Sequence, residues 1–350
     1  MTDQLPRKPA RISDVARLAG VSLGTVSHAL NHPSRLRPAT LERVNDAIRE
    51  LGFVRNANAS TLATGRSSNI GMVAIAFGNS MFVDIARGAQ RVARSEGYNL
   101  LLAGSEDSYD TQGQFVRFFD EARVAGLLLA PMEDSSEHVA RMASHGRPVV
   151  LMNWDGDEDA CRVVVDNEAV GYLAARHLIE RGCRRITVLG GGDEFQPVQL
   201  RRRGIRRAIE ELGDGVVADA VPTAALTPEA GAAAVRPIVE VSSAERPDGL
   251  LCLTDAIAIG AIRGIQSEGL EVPGDLLVIG CDHNTQSWDG DVTLTTIAMR
   301  GLEIGETAMG LLLDELTTDP AQHVHRRVVL EPRLEVRSST TRGPAPASSR

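Results

Sequence analysis

Few residues of this 350-residue chain stand at spacings that catalysis uses. Gly190-Gly191-Gly192 follows an apolar run, where a phosphate-cradling loop would sit, but it has neither the G-x-G-x-x-G nor the Walker spacing and reads as a loop tip. His323 and His325 lie two apart, unlike the i, i+4 pair with which a helix holds a metal. No third ligand is evident beside them, so no metal and no cofactor are expected. Cys161, Cys183, Cys252 and Cys281 form no C-x-x-C pair, and Cys252 and Cys281 sit in apolar strand-like runs. They read as buried, reduced thiols. No Ser-His-Asp signature is apparent. These residues weigh against an α/β enzyme and turn attention to what the chain binds.

The net charge of −9 is unevenly distributed: residues 1–66 total +5 and the remainder −14. A basic head joined to an acidic body suggests a small module that approaches a polyanion. Three helices account for the head. Ser13 can cap a first helix whose face is Val15, Ala16, Leu18 and Ala19, and Gly20 offers the positive φ that ends it. Ser22 can cap a second helix through Leu30, leaving Leu23, Gly24, Ser27 and His28 exposed. Pro38 stands at the start of a third, in which Leu41, Val44, Ile48 and Leu51 recur at spacings of three and four up to Gly52. Two short helices about a glycine turn, with a third completing the core, follow the helix-turn-helix plan.

From Ile70 the pattern changes to short apolar runs alternating with amphipathic stretches. Strands are expected at Ile70–Phe77, Tyr98–Ala103, Ala125–Ala130, Pro148–Asn153, Arg162–Val165, Arg185–Gly190, Gly249–Leu253 and Leu276–Gly280. Helices are expected at Glu168–Arg181, Leu200–Leu212, Ala256–Gly269 and Arg300–Thr317, among others. Such alternation means parallel sheets covered on both faces. Asp166-Asn167 after the fifth strand reads as a crossover into a second sheet, so two Rossmann-like lobes are expected, with a ligand cleft at the carboxyl ends of their strands. Trp154 and Trp288 follow predicted strand ends, where that cleft would lie. Residues 54–69 join head to body; a helix of about eight residues there is too short to be stable alone. The Ser-, Thr-, Pro- and Gly-rich tail is expected to be disordered. The chain has no run of about 18 apolar residues and no signal-peptide core near Met1, which points to a cytoplasmic protein with no membrane partner.

The segments Asp14-Val15-Ala16-Arg17-Leu18-Ala19-Gly20-Val21-Ser22, Thr25-Val26-Ser27-His28-Ala29-Leu30-Asn31 and Glu50-Leu51-Gly52-Phe53 resemble the DNA-binding head of the lactose-repressor (LacI/GalR) family. Body segments follow in that family's order: Ile70-Gly71, Asp166-Asn167, Arg201 to Gly204, Asp255 with Gly260, Val272-Pro273 with Asp275, Ile279-Gly280 with Asp282, and Leu294 to Ile297. Roughly residues 11–337 are covered. The resemblance implies an all-α helix-turn-helix head (1–55), a hinge helix and linker (56–69), an α/β body of the periplasmic-binding-protein-like type (70–337, two lobes, crossovers near 166 and again near 293–330) and a tail (338–350).

By the same resemblance, the second helix enters the major groove and hinge helices from two subunits pair in the minor groove. The matching DNA-binding positions are Ser22, Leu23, Gly24, Thr25, Ser27, His28 and Asn31, with Asn56, Ala59 and Leu62 in the hinge. His28 can donate to guanine N7 or O6, and Leu23 can meet a thymine methyl. Leu62 matches the apolar wedge that unstacks a base step and bends the duplex. Gly24 departs from a frequent polar residue, Arg55 from a frequent proline and Ser60 from a frequent arginine. The matching effector-binding positions are Ser80, Phe82, Asp107, Trp154, Arg201, Asp255, Asp282 and Trp288. A guanidinium fork and carboxylates bind adjacent hydroxyls, and an aromatic face covers the apolar side of a sugar ring. The function implied is a nucleoid-associated homodimeric repressor of carbohydrate-metabolism genes. It would bind a palindromic double-stranded operator and be controlled allosterically by a sugar or sugar derivative. A sugar-binding protein without a DNA role is the rival to set beside an enzyme.

Overall fold

The computed structural model describes residues 10–53, 67–106, 108–191, 195–283 and 290–341. The chain divides into two compact units, residues 1–66 and 67–350.

The head contains α1 (Ile12–Ala19), α2 (Leu23–Asn31) and α3 (Pro38–Leu51), with a 3-10 turn at Pro33–Arg35. Gly20 and Gly52 end α1 and α3 in the left-handed region, at φ 63° and 59°. Pro38 opens α3, where its missing N–H costs nothing. The core is built from small side chains: Val15, Ala16, Ala19, Val26, Ala29, Val44 and Ala47, flanked by Leu30, Leu41, Ile48 and Phe53. Two expectations need correction. Ser13 lies inside α1; the start is held instead by Asp14, whose carboxylate accepts from the Arg11 N–H at 2.9 Å. Leu18 is 45 % exposed and belongs to no core face.

The body has two six-stranded sheets. The first lobe runs β1 (Asn69–Ala74), α4 (Ser80–Ser95), β2 (Asn99–Gly104), α5 (Tyr109–Glu121), β3 (Leu127–Leu129), α6 (Ser136–Ser144), β4 (Val149–Met152) and β5 (Cys161–Val165). The second runs α7 (Asn167–Glu180), β6 (Arg185–Leu189), α8 (Gln196–Leu212), β7 (Val217–Val221), α9 (Pro228–Val239), β8 (Gly249–Cys252), α10 (Asp255–Ser267), β9 (Leu277–Cys281) and β10 (Thr295–Ala298). The chain then returns α11 (Gly301–Thr317) and β11 (Arg327–Leu330) to the first lobe and β12 (Arg333–Glu335) to the second. The sheet orders are β11-β5-β4-β3-β1-β2 and β12-β10-β9-β8-β6-β7. All pairings are parallel except β10 with β12. The lobes are thus joined three times: at Asp166, at Met299-Arg300 and at Glu331-Pro332.

Central strands such as β3 (Leu-Leu-Leu) and β4 (Val-Val-Leu-Met) are apolar throughout because helices cover both faces. Leu128 belongs to the same buried core as Ile85 and Ile304, from α4 and α11, while its neighbours Leu127 and Leu129 belong to a second core with Phe119 and Met142, from α5 and α6. In the second lobe α7 and α8 cross closely at glycines: a Cβ on Gly171 would lie 1.9 Å from the Arg201 carbonyl, and one on Gly204 1.8 Å from that of Glu168. This contact sets the position of the α8 turn that carries Arg201.

The expected start of the tail at 338 is also corrected. Ser338–Thr340 form a 3-10 turn, with Ser339 and Thr340 buried. Ser339 Oγ donates to the Val278 carbonyl at 2.6 Å, and Thr340 Oγ1 lies 2.7 Å from Thr295 Oγ1 and 2.8 Å from His177 Nε2. Polar composition misled because these hydroxyls find partners on β9, β10 and α7.

Candidate nucleic-acid interface and ligand cleft

In the head, α2 presents a polar and weakly apolar outer face above a buried one. Val26 and Ala29 are buried, whereas Leu23 is 53 % exposed and Ser22, Gly24 and His28 are exposed beside half-buried Thr25 and Ser27. Ser22 Oγ caps the helix by accepting from the Thr25 N–H at 3.1 Å and lies 2.9 Å from Thr25 Oγ1. The cap therefore fixes the hydroxyls of both residues at the helix N-terminus, where unpaired N–H groups and the helix dipole favour phosphate. The His28 ring rests edge-on against His32, with centroids 6.4 Å apart. The side chain of Asn31 and the hinge positions Asn56, Ala59 and Leu62 lie outside the described residues.

In the body, a cavity of about 200 Å³ opens between the lobes. Phe82, Arg201 and Asp282, all expected there, line it, together with Asn79 and Asn153 from the first lobe and Phe195 and Thr254 from the second. Arg201 is only 4 % exposed. Its Nε donates to Asn167 Oδ1 at 3.0 Å, its Nη1 to the Leu253 carbonyl, and its Nη2 lies 3.5 Å from Asp282 Oδ1. Asn79 Nδ2 reaches across from the first lobe to donate to Asp282 Oδ2 at 3.1 Å. Burial pushes the Asp282 carboxyl up to about 6, against the opposing pull of Arg201 and Asn79. A buried carboxylate with so high a pKa is poised to accept a further hydrogen bond.

Backbone strain concentrates at the same place. Glu106, Asn153 and Asp282, at φ 48°, 52° and 120°, all line the cavity. Non-glycine residues in this region cost about 1–3 kcal/mol each and cluster at functional sites. Helix starts converge there too. Asn79 caps α4, Thr227 caps α9, Thr254 caps α10, and Phe195 precedes α8. Electron-rich oxygens of a ligand are favoured at such ends.

Other expected positions lie elsewhere. Asp255 is fully buried behind the sheet: its Oδ1 accepts from Thr296 Oγ1 at 2.6 Å and occupies the space a Cβ on Gly280 would need. It does not line the cavity. Ser80 is the first residue of α4 but not part of the lining, a place taken by its neighbour Asn79. Trp154 faces a neighbouring cavity of about 310 Å³ near the first crossing, where its Nε1 donates to Glu158 Oε1 at 2.7 Å. Asp107 and Trp288 lie outside the described residues. Among the lining residues that sequence reasoning missed, Asn79, Thr227 and Thr254 carried a readable signal: each is an Asn or Thr cap opening a helix.

Comparisons with known proteins match both units of the chain. The family "Bacterial regulatory proteins, lacI family" matches residues 11–56, and "Periplasmic binding protein-like domain" matches residues 175–340. The chain is 32 % identical over 333 residues to the HTH-type transcriptional repressor PurR of Aliivibrio fischeri (strain MJ11), covering 94 % of this chain and 98 % of that one. Among solved structures it is similar to the lac repressor dimer bound to operator and the anti-inducer ONPF, at TM-score 0.79 and 25 % identity, covering 95 % of this chain and 99 % of the other. It is also similar to the transcriptional regulator CelR in complex with cellobiose, at TM-score 0.66 and 26 % identity, covering 94 % and 99 %.

Proposed function

Since the chain belongs to the lacI family of bacterial regulatory proteins, and so is a DNA-binding transcriptional repressor rather than an enzyme, we propose that it acts as a homodimer on a palindromic operator and lets go when a small sugar or sugar derivative enters the interlobe cavity. The observation that carries this reading is the buried Arg201–Asp282 pair facing a cavity walled by Phe82 and Phe195. Guanidinium and carboxylate together grip vicinal hydroxyls, and the phenylalanines cover ring C–H faces. A volume of about 200 Å³ suits one sugar ring better than an oligosaccharide. The likeness to a transcriptional regulator solved with cellobiose supports a carbohydrate ligand, and through it a role in genes of carbohydrate metabolism at the chromosome in the cytoplasm.

The apolar walls favour one further ligand class, a planar nucleobase held between Phe82 and Phe195 with its edge on Arg201 and Asp282. Dimerisation is supported by the edge strand β2, which leaves Leu101 37 % and Leu102 50 % exposed although parallel strands are normally covered on both faces. On the DNA side, His28 and Leu23 read base edges, Ser22, Thr25, Ser27 and Asn31 hold phosphates or nearby edges, and Asn56, Ala59 and Leu62 supply the hinge contacts. Among the described residues no helix is long and apolar enough to cross a membrane.

The test is a gel shift with inverted-repeat DNA selected from a random pool, repeated with monosaccharides, sugar phosphates and free nucleobases. Retardation as a dimer, reversed by one sugar class, supports the proposal. Reversal by a nucleobase alone favours the second ligand class, and indifference to every selected repeat removes the proposed operator mode.

A further inference from the structure

We infer that the first lobe carries a tetrahedral transition-metal site of zinc type, built from Cys161, Glu315, His323 and His325. The spacing of the two histidines offers no third ligand in sequence; folding supplies two. Cys161 begins β5, Glu315 lies in the last turn of α11, and both histidines sit on the connection from α11 to β11. One potential ligand atom from each residue falls in a group whose members all lie within 4.8 Å of one another.

The distances match metal chemistry. His323 Nε2 is 3.3 Å from Cys161 Sγ and 3.3 Å from Glu315 Oε2, and His325 Nδ1 is 3.9 Å from the same carboxylate oxygen. Zinc bonds of about 2.0–2.3 Å at tetrahedral angles set neighbouring ligand atoms about 3.3–3.8 Å apart. Glu315 Oε2 is buried, and its carboxylate makes its contacts with the other proposed ligands, His323, His325 and Cys161. The outer contacts fit as well. The Arg326 N–H donates to Cys161 Sγ at 3.4 Å, which suits a thiolate, and Asp159 Oδ1 lies 3.4 Å from His325 Nε2, the ring nitrogen opposite the proposed ligand atom. A carboxylate behind a metal-bound histidine orients the ring and raises its basicity. With its side chain 32 % exposed, His325 offers the way in from solvent.

A Cys-His-Glu nucleophile system is the obvious competitor, but the geometry opposes it. Glu315 approaches the same Nε2 that faces the sulfur, whereas a triad needs the carboxylate on the far nitrogen, and Cys161 is fully buried from any substrate. Binding M²⁺ would release the Cys161 thiol proton to solvent and form S–M, two N–M and O–M bonds with no change of oxidation state.

The test uses the full chain, stripped with chelator and passed through gel filtration. Zinc titrated calorimetrically should bind one ion per chain, and cobalt(II) should give a thiolate charge-transfer band with intense tetrahedral visible absorption. Cys161→Ser should abolish the charge-transfer band. His325→Gln, at an exposed position that leaves the core intact, should weaken zinc at least tenfold. A chain that retains no stoichiometric zinc, a cobalt band unchanged in Cys161→Ser, or equal affinity in His325→Gln would each overturn the assignment. Operator binding is not needed for any of these readouts, so failure here leaves the proposed function standing.

Discussion

Replacing Arg201 with methionine separates its charge from its bulk. The guanidinium fills a site that is 4 % exposed, and it is the cation facing Asp282, itself 5 % exposed. Removing one partner of a buried pair costs about 3–5 kcal/mol because the other charge is stranded. For a body of this size, with about 2–4 °C of melting temperature per kcal/mol, the variant should melt about 6–20 °C earlier at pH 7.5. The deficit should depend on pH in a definite direction. The Asp282 carboxyl already titrates at about 6 in the folded body, above its ordinary 3.8, because burial disfavours its ionised form. Without Arg201 it titrates higher still. The penalty for the stranded carboxylate is therefore present above the folded pKa and disappears as pH falls below it, when Asp282 becomes neutral. Differential scanning calorimetry of wild type and Arg201→Met at pH 7.5 and pH 5 should show the gap narrowing at pH 5. Adding Asp282→Asn to the variant should narrow it at pH 7.5 as well. A gap that is constant across pH and untouched by Asp282→Asn would refute the electrostatic account and leave Arg201 as packing alone. In gel shifts, Arg201→Met should still bind operator but no longer respond to ligand.

Three further outcomes are expected. Burial takes the His177 imidazole down to about 4, so the folded body holds it neutral while the unfolded chain protonates it near 6.5. Stability of about 3 kcal/mol is then present above pH 6.5 and lost as pH falls through about 4, and His177→Gln should flatten this part of the melting profile. Gly204→Ala puts a Cβ 1.8 Å from the Glu168 carbonyl, forcing α7 and α8 apart; it should cost about 1–3 kcal/mol and weaken ligand binding by displacing Arg201, and an unchanged melting temperature would contradict the close crossing. His28→Ala should relax base preference at one symmetric pair of operator positions in a selection experiment, with an unchanged profile removing His28 from the reading set.

Legibility in the sequence followed what each element needs from its neighbours. Helices α2 and α3 were readable because Ser22, Pro38 and Gly52 act locally, within a turn of their own backbone. The central strands were readable because burial on both faces demands continuous apolar runs. Strand β7 (Val-Ala-Asp-Ala-Val) escaped because an edge strand can keep polar, exposed residues. Strand β10 escaped for the opposite reason: Thr295 and Thr296 are buried, but their hydroxyls are paired by Thr340 and Asp255, residues far away in sequence. The same limit governs the sites. Phe82, Arg201 and Asp282 could be matched by position, while the inward turn of Asp255 depends on Gly280 being small enough to admit it. Nothing in the spacing of His323 and His325 announces Cys161, more than 150 residues earlier.

Under the proposed function, the cavity's place at the lobe crossings would give a small ligand control of the body. Arg201 bonds Asn167, the first residue beyond the crossing at Asp166, and its Nη2 lies 3.7 Å from the sulfur of Met299 at the second crossing. Asn167 in turn donates to Asn153 Oδ1 at 3.0 Å, and Asn79 ties the first lobe to Asp282 of the second. At the cavity the lobes are thus linked by a short chain of polar contacts that shares its members with the proposed ligand site. A hydroxyl of the proposed ligand donating to Asp282 would compete directly with Asn79 Nδ2 for the carboxylate. Hydrogen bonds to a charged group contribute about 1.5–3 kcal/mol each. Exchanging one or two of them between closure and ligand covers the coupling of about 1–3 kcal/mol that typically separates a bound from a released state. By reciprocity, operator DNA must change ligand affinity by the same factor. Asn79→Ala, which removes the competing donor along with the α4 cap and leaves Arg201, Asp282 and the phenylalanines in place, should tighten ligand binding and weaken that factor together; calorimetric ligand titrations with and without operator measure both, and a change in one without the other would break the link between closure and control.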